Sequence, residues 1–88
     1  MYDYRTERPK LFTEEGQILF LKIRDRVKYL LKTAGAVRMQ EVIAGICSGD
    51  SWQMLACVDR LVELGELREV THDVCAGQHR VFVEGRGG

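Results

Sequence analysis

The chain has 88 residues, which is room for one domain and one core. Hydrophobic residues make up 45% of it and charged residues 30%, a globular composition that excludes disorder throughout. No run approaches the roughly 18 apolar residues of a membrane span, Asp3, Arg5, Glu7 and Arg8 interrupt any apolar signal segment, and three loosely spaced cysteines point to a reduced, cytoplasmic protein.

Residues 1–12 are polar and charged and are expected to form a flexible N-terminal arm. A first helix is predicted from about Thr13 to Thr33. Thr13 suits the N-cap, and Glu14 and Glu15 suit the positive end of the helix dipole. Leu19, Phe20, Ile23, Val27, Leu30 and Leu31 recur in steps of three and four, and Gly35 is the expected terminator. Ala36-Val37-Arg38 allows one stub strand. A second helix is predicted from about Met39 to Cys47, with Val42, Ile43 and Ile46 inward.

Ser48-Gly49-Asp50-Ser51 holds four turn formers, and Asp50 with Gln53 fits a capping box. A third helix follows from about Ser51 to Leu64, with Met54, Val58 and Leu61 on its inner stripe and Gly65 as its stop. Beyond Gly65 the period falls from near 3.6 to two. Residues 66–72 and 80–84 are the two arms of a hairpin, and Gly77 supplies the turn signal. A hairpin alone is marginal in water, so it must pack on the helices. Residues 85–88 form a disordered tail. The fold class expected is mainly α with a small β-hairpin (α+β), over residues 13–84.

Helix, helix, four-residue turn, helix and hairpin resemble the winged helix-turn-helix superfamily. The resemblance is carried by Glu41-Val42-Ile43-Ala44, the Ser48–Ser51 turn, Val58 to Leu67, and Arg80-Val81-Phe82-Val83. It covers roughly residues 14–84 and identifies an architecture, not a particular family. It implies a small DNA-binding transcriptional regulator whose third helix enters the major groove while the wing touches phosphates. By position, the reading surface is Ser51, Trp52, Gln53, Ala56, Asp59, Arg60 and Glu63. Arg68 and Arg80 lie on the wing. Gln53 suits adenine and Arg60 suits guanine as bidentate partners.

The charge distribution resists that implication. Residues 1–38 hold nine Lys/Arg against five acids, a net of +4, while residues 39–88 hold four against eight, a net of −4. The predicted reading helix carries two carboxylates and one cation on its outward face, and carboxylates oppose phosphate contact. The basic row is Arg24, Lys28 and Lys32 on the first helix, which with Arg5, Arg8 and Lys10 either tracks a phosphate backbone or is simply solvated. The alternative role is a protein-interaction module that binds a partner through the acidic third helix and Trp52. Trp is enriched among interface anchors. The +4/−4 split also favours association between chains, and a homodimer through the first helix is expected.

Other constellations are weak. His72, Cys75 and His79 offer three zinc ligands and require a fourth from Cys47, Cys57 or Asp73, at a spacing that matches no established finger. Cys47 and Cys57 have the character of small core residues. Gly85-Arg86-Gly87-Gly88 is not a phosphate loop, and Glu14-Glu15 cap a helix instead of facing each other across a cleft. No catalytic residue, metal or cofactor is expected.

Overall fold

A computed structural model describes residues 2–46, 51–70 and 80–85. In chain order it contains helix α1 (Tyr4–Glu7), a 3-10 segment (Arg8–Phe12), helix α2 (Glu14–Ala34), strand β1 (Val37–Arg38), helices α3 (Met39–Gly45) and α4 (Ser51–Glu63), and strands β2 (Leu67–Glu69) and β3 (Val81–Glu84). The architecture is mainly helical with a small antiparallel sheet, an α+β arrangement.

The long helix α2 begins where its cap predicts: the Thr13 hydroxyl accepts from the Gly16 N–H at 3.0 Å. It ends at Gly35, whose φ of 77° is left-handed and whose N–H donates to the Leu31 carbonyl at 2.9 Å. Leu19, Ile23, Val27 and Leu30 are buried along its inner face. In α3 Met39 and Val42 are buried, while Ile43 and Ile46 are half-buried against the core. The core between the helices and the sheet is completed by Met54, Leu55, Val58 and Leu61 of α4 with Val37, Leu67 and Phe82 of the strands.

The sheet has three strands in the order β1-β3-β2, where the sequence indicated a two-stranded wing with an optional stub. The stub is present because β3 has two edges. Val37 pairs with Phe82, both fully buried, and the Met39 N–H continues the ladder to the Arg80 carbonyl at 2.9 Å. On the other edge Leu67, Arg68 and Glu69 pair with Glu84, Val83 and Phe82. The alternation turns Leu67 and Phe82 into the core. It leaves Arg38 and Arg68 on the opposite face, beside the half-buried Val81 and Val83.

The N-terminus differs from the flexible arm expected of residues 1–12. Asp3 caps α1 by accepting from the Arg5 N–H, and both α1 and the 3-10 segment pack on α4. Leu11 is buried in the core, and Tyr2 and Tyr4 pack against it. Gly16 permits the approach. A Cβ there would lie 2.2 Å from the Lys10 carbonyl oxygen and 2.7 Å from the Leu11 Cα, so only a residue without one lets the segment lie on α2. A helix of four residues has no stability in isolation, so this one exists because of what it packs against.

Candidate functional site

The residues singled out from the sequence meet around α4, but not as an open reading surface. Ser51 and Trp52 stand exposed at its first turn, with Trp52 41% accessible, and Gln53 is half-buried. Ala56, expected outward, is 0% exposed. The N-terminal segment packs on α4 and bonds Asp59 and Glu63, which share a helical ridge with Ala56. The Tyr2 hydroxyl donates to Asp59 Oδ2 at 2.6 Å, and the Tyr4 hydroxyl donates to Glu63 Oε1 at 2.8 Å.

Two charge clusters fasten this cover. In the first, Arg80 makes paired contacts with two carboxylates. Its Nη2 and Nη1 donate to Asp59 at 2.7 and 3.2 Å, and its Nη2 and Nε donate to Glu69 at 2.7 and 2.9 Å. The guanidinium also lies over the Phe82 ring, 5.0 Å from its centroid. One side chain thereby joins the start of β3, strand β2, helix α4 and, through Asp59, Tyr2. The Glu69 hydrogen bonds lead in raising the Arg80 pKa further, and burial leads in raising that of Tyr2, with the Asp59 bond adding to it. In the half-buried setting these fork-on-carboxylate bonds fix geometry as well as charge.

In the second cluster, Glu63 Oε1 accepts from Tyr4, from Arg8 Nε at 3.0 Å and from Arg60 Nη1 at 2.7 Å. The three donors hold its carboxyl down at about 2, Tyr4 contributing most. Burial first, and then the Glu63 bond, pushes the Tyr4 hydroxyl up to about 12. Arg8 and Arg60 also lie over the Phe12 ring, at 5.0 and 5.3 Å from its centroid.

The remaining candidates scatter. Arg24 is paired with Glu66 at 3.0 Å, so the Arg24-Lys28-Lys32 row is interrupted at its first member. Lys28 is exposed on α2 and Arg68 is exposed on the outer sheet face. A cleft of about 170 Å³ between α2 and the sheet is lined by Arg24, Lys28, Leu31, Glu66 and Glu84. That volume is below the roughly 300 Å³ at which small-molecule sites begin. No group of His, Cys, Asp and Glu suited to a metal occurs among the described residues. The proposed zinc ligands His72, Asp73, Cys75, His79 and Cys47, the Asp50 cap and residues 86–88 lie outside the described residues. Cys57 is buried, and that burial pushes its thiol up to about 12, as befits a small core residue and not a ligand. Among the described residues no helix is long and apolar enough to cross a membrane.

Sequence reasoning missed Tyr2, Tyr4 and Phe12 as parts of this site and set Arg8 in a basic surface, where the structure pairs it with Glu63. The available signal was three aromatic rings within a segment otherwise counted as polar, together with Asp3 one residue before a helical turn. Comparison with known proteins finds no matching family model, no similar curated protein and no similar solved structure.

Proposed function

We propose that the chain is a winged-helix module that acts by binding another protein, with Trp52 at the exposed end of α4 as its anchor. The element order supports the architecture: a long helix, a short helix and a third helix, followed by a hairpin whose return strand lies beside a stub. Function does not follow from architecture, so the reading rests on the site.

The observation that carries the protein-binding reading is the cover on α4. A helix that reads a major groove needs a bare outward face. Here Ala56 is buried, and Asp59, Arg60 and Glu63 are occupied by residues of the same chain. Three of the cations offered to phosphates are engaged too, Arg24 by Glu66, Arg60 by Glu63 and Arg80 by Asp59 and Glu69, while Lys28, Lys32 and Arg68 stay exposed away from α4. Each of the three engaged cations would surrender an ion pair before neutralising a phosphate, and phosphate neutralisation supplies most non-specific affinity. Asp59 is largely buried and Glu63 is bonded within the chain, so the contact proposed is the first turn of α4, with exposed Ser51 and Trp52 and half-buried Gln53. Trp52 presents a large ring there, the residue type most enriched among binding hot spots.

A titration of labelled random-sequence duplex at low salt tests this. No binding is expected at micromolar protein, whereas saturable binding that falls steeply with added salt restores DNA recognition and overturns the proposal. A photoreactive phenylalanine in place of Trp52 is expected to cross-link in cells to a protein of defined mass. Cross-linking to nucleic acid alone, or to nothing, counts against it.

A further inference from the structure

Three large apolar side chains remain on the outer face of α2: Ile18, Leu21 and Tyr29 are 52%, 55% and 57% exposed. At 100° per residue they share an arc of about 80° with Glu14, Asp25 and Lys32, nearly opposite the buried stripe of Leu19, Ile23, Val27 and Leu30. Apolar residues scattered singly on a surface need no explanation, but a stripe at helical spacing along a 21-residue helix is a different matter. The helix is about 31 Å long, as long as the molecule's greatest extent of 30 Å. The stripe therefore offers a contact running across the whole domain. It lies on a different helix from Trp52, so a contact there is independent of the one proposed at α4.

The order of charges along the stripe selects its occupant. From N- to C-terminus it presents Glu14, Ile18, Leu21, Asp25, Tyr29 and Lys32, flanked by the exposed Lys22 and Lys28. It is acidic where the helix starts and basic where it ends. A second copy laid parallel would set Glu14 on Glu14, Asp25 on Asp25 and Lys32 on Lys32, like charge on like at every polar position. A second copy laid antiparallel reverses this. With a two-fold axis crossing the outer face level with Ile23 and Arg24, Glu14 comes beside Lys32 of the second copy, Ile18 beside its Tyr29, and Asp25 beside its Lys22. Symmetry makes each of these contacts twice. Antiparallel helix dipoles also oppose favourably. Among the described residues Glu14, Lys22, Asp25, Lys28 and Lys32 form no ion pair within the chain, so their charges remain available to a second copy.

We infer that the outer face of α2 is the contact of an antiparallel homodimer, self-complementary in charge and closed by Ile18, Leu21 and Tyr29. The contact is isologous, so it terminates at two copies and does not propagate.

Sedimentation of the full chain from micromolar to millimolar concentration is expected to show 10.1 kDa monomers passing into a species of twice that mass, with added salt weakening the association. Asp25→Lys sets lysine against lysine at both symmetric positions, and we expect it to weaken dimerisation by about tenfold or more. Adding Lys22→Glu to that variant reverses both pairs and is expected to restore association. Ile18→Glu, away from the central pairs, is expected to weaken it independently. A monomeric mass at every concentration overturns the inference. So does an unaffected Asp25→Lys dimer, or a double variant no tighter than Asp25→Lys alone. Helical circular dichroism for each variant separates loss of association from loss of fold.

Discussion

Helices α4 and α2 are both amphipathic and pack against each other, yet α4 is enclosed on two sides and α2 on one. In α4 five consecutive residues, Met54 to Val58, are buried, which no single-faced helix achieves. One side meets α2 and the sheet through apolar contacts; the other meets the N-terminal segment through Tyr2, Tyr4 and Arg8. In α2 the buried residues recur every three or four positions, and the far side carries apolar and charged residues together. The difference teaches that amphipathicity locates one buried face and says nothing about what covers the other. The helix that the winged-helix resemblance makes the reader is the one whose outward side is left open chiefly at its first turn.

The largest effect expected from breaking this contrast is at Ala56. Ala56→Glu puts a carboxylate where no solvent reaches, and we expect a loss of about 3 kcal/mol or more in denaturant unfolding. Leu21→Glu makes the same chemical change on the outer face of α2. Measured on dilute protein it is expected to alter stability by no more than about 0.5 kcal/mol. Equal costs at the two positions would show that the N-terminal segment does not close over α4 in solution, and α4 would again be open to DNA.

Gly16→Ala comes next, because it attacks the cover and not the core. Alanine gains up to about 1 kcal/mol over glycine inside a helix. Its Cβ, however, must displace the backbone of Lys10 and Leu11, 2.2 and 2.7 Å away. Overpacking of that kind costs about 1–3 kcal/mol, so the clash wins and the variant is destabilised. Trypsin cleavage after Arg5 or Lys10 is expected to accelerate more than global unfolding does. A variant more stable than the wild type would mean that the segment does not lie on α2.

Those positions also show what the sequence could and could not disclose. The limits of α2 were legible because Thr13 and Gly35 act through their own hydrogen bonds and dihedral angles, which are local properties. The change to strand after Gly65 was legible from the alternation that turns Leu67 and Phe82 inward. The α1 turn was not, since four residues are too few to display a period and its stability comes from α4. Ala56 was misassigned because a helical wheel ranks positions against one buried face, and α4 is buried on more than one. Arg80 had no local cue either. Its carboxylate partners stand 21 and 11 residues away, and only the fold brings them together. The outer stripe of α2 was present in the sequence as Ile18, Leu21 and Tyr29, but apolar residues on a predicted outer face attract notice only once the inner face is known to be filled.

The smallest expected effect is the most specific to the polar seam between α4 and the N-terminal segment. The Glu63 carboxyl is held at about 2, below its ordinary 4.5, by Tyr4, Arg60 and Arg8. The ionised form is the one favoured by folding, so its contribution is complete above 4.5 and is lost as pH falls from there towards about 2. The Tyr4 hydroxyl is raised from 10.0 to about 12 by burial and by its bond to Glu63. Here the neutral form is favoured, so the contribution is complete below 10.0 and is lost as pH rises through about 12. Tyr4→Phe removes the phenol and the leading donor to Glu63 together. Stability of this variant against pH is therefore expected to lose slope at both edges, whereas Glu63→Gln loses most of its slope on the acid side alone. The seam is exposed and salt-screened, so the changes are slopes in a pH profile rather than unfolding events. A Tyr4→Phe protein whose acid limb coincides with the wild type would mean that tyrosine and carboxylate are not bonded in solution. The cover on α4 would then rest on Leu11 and the Arg80 cluster.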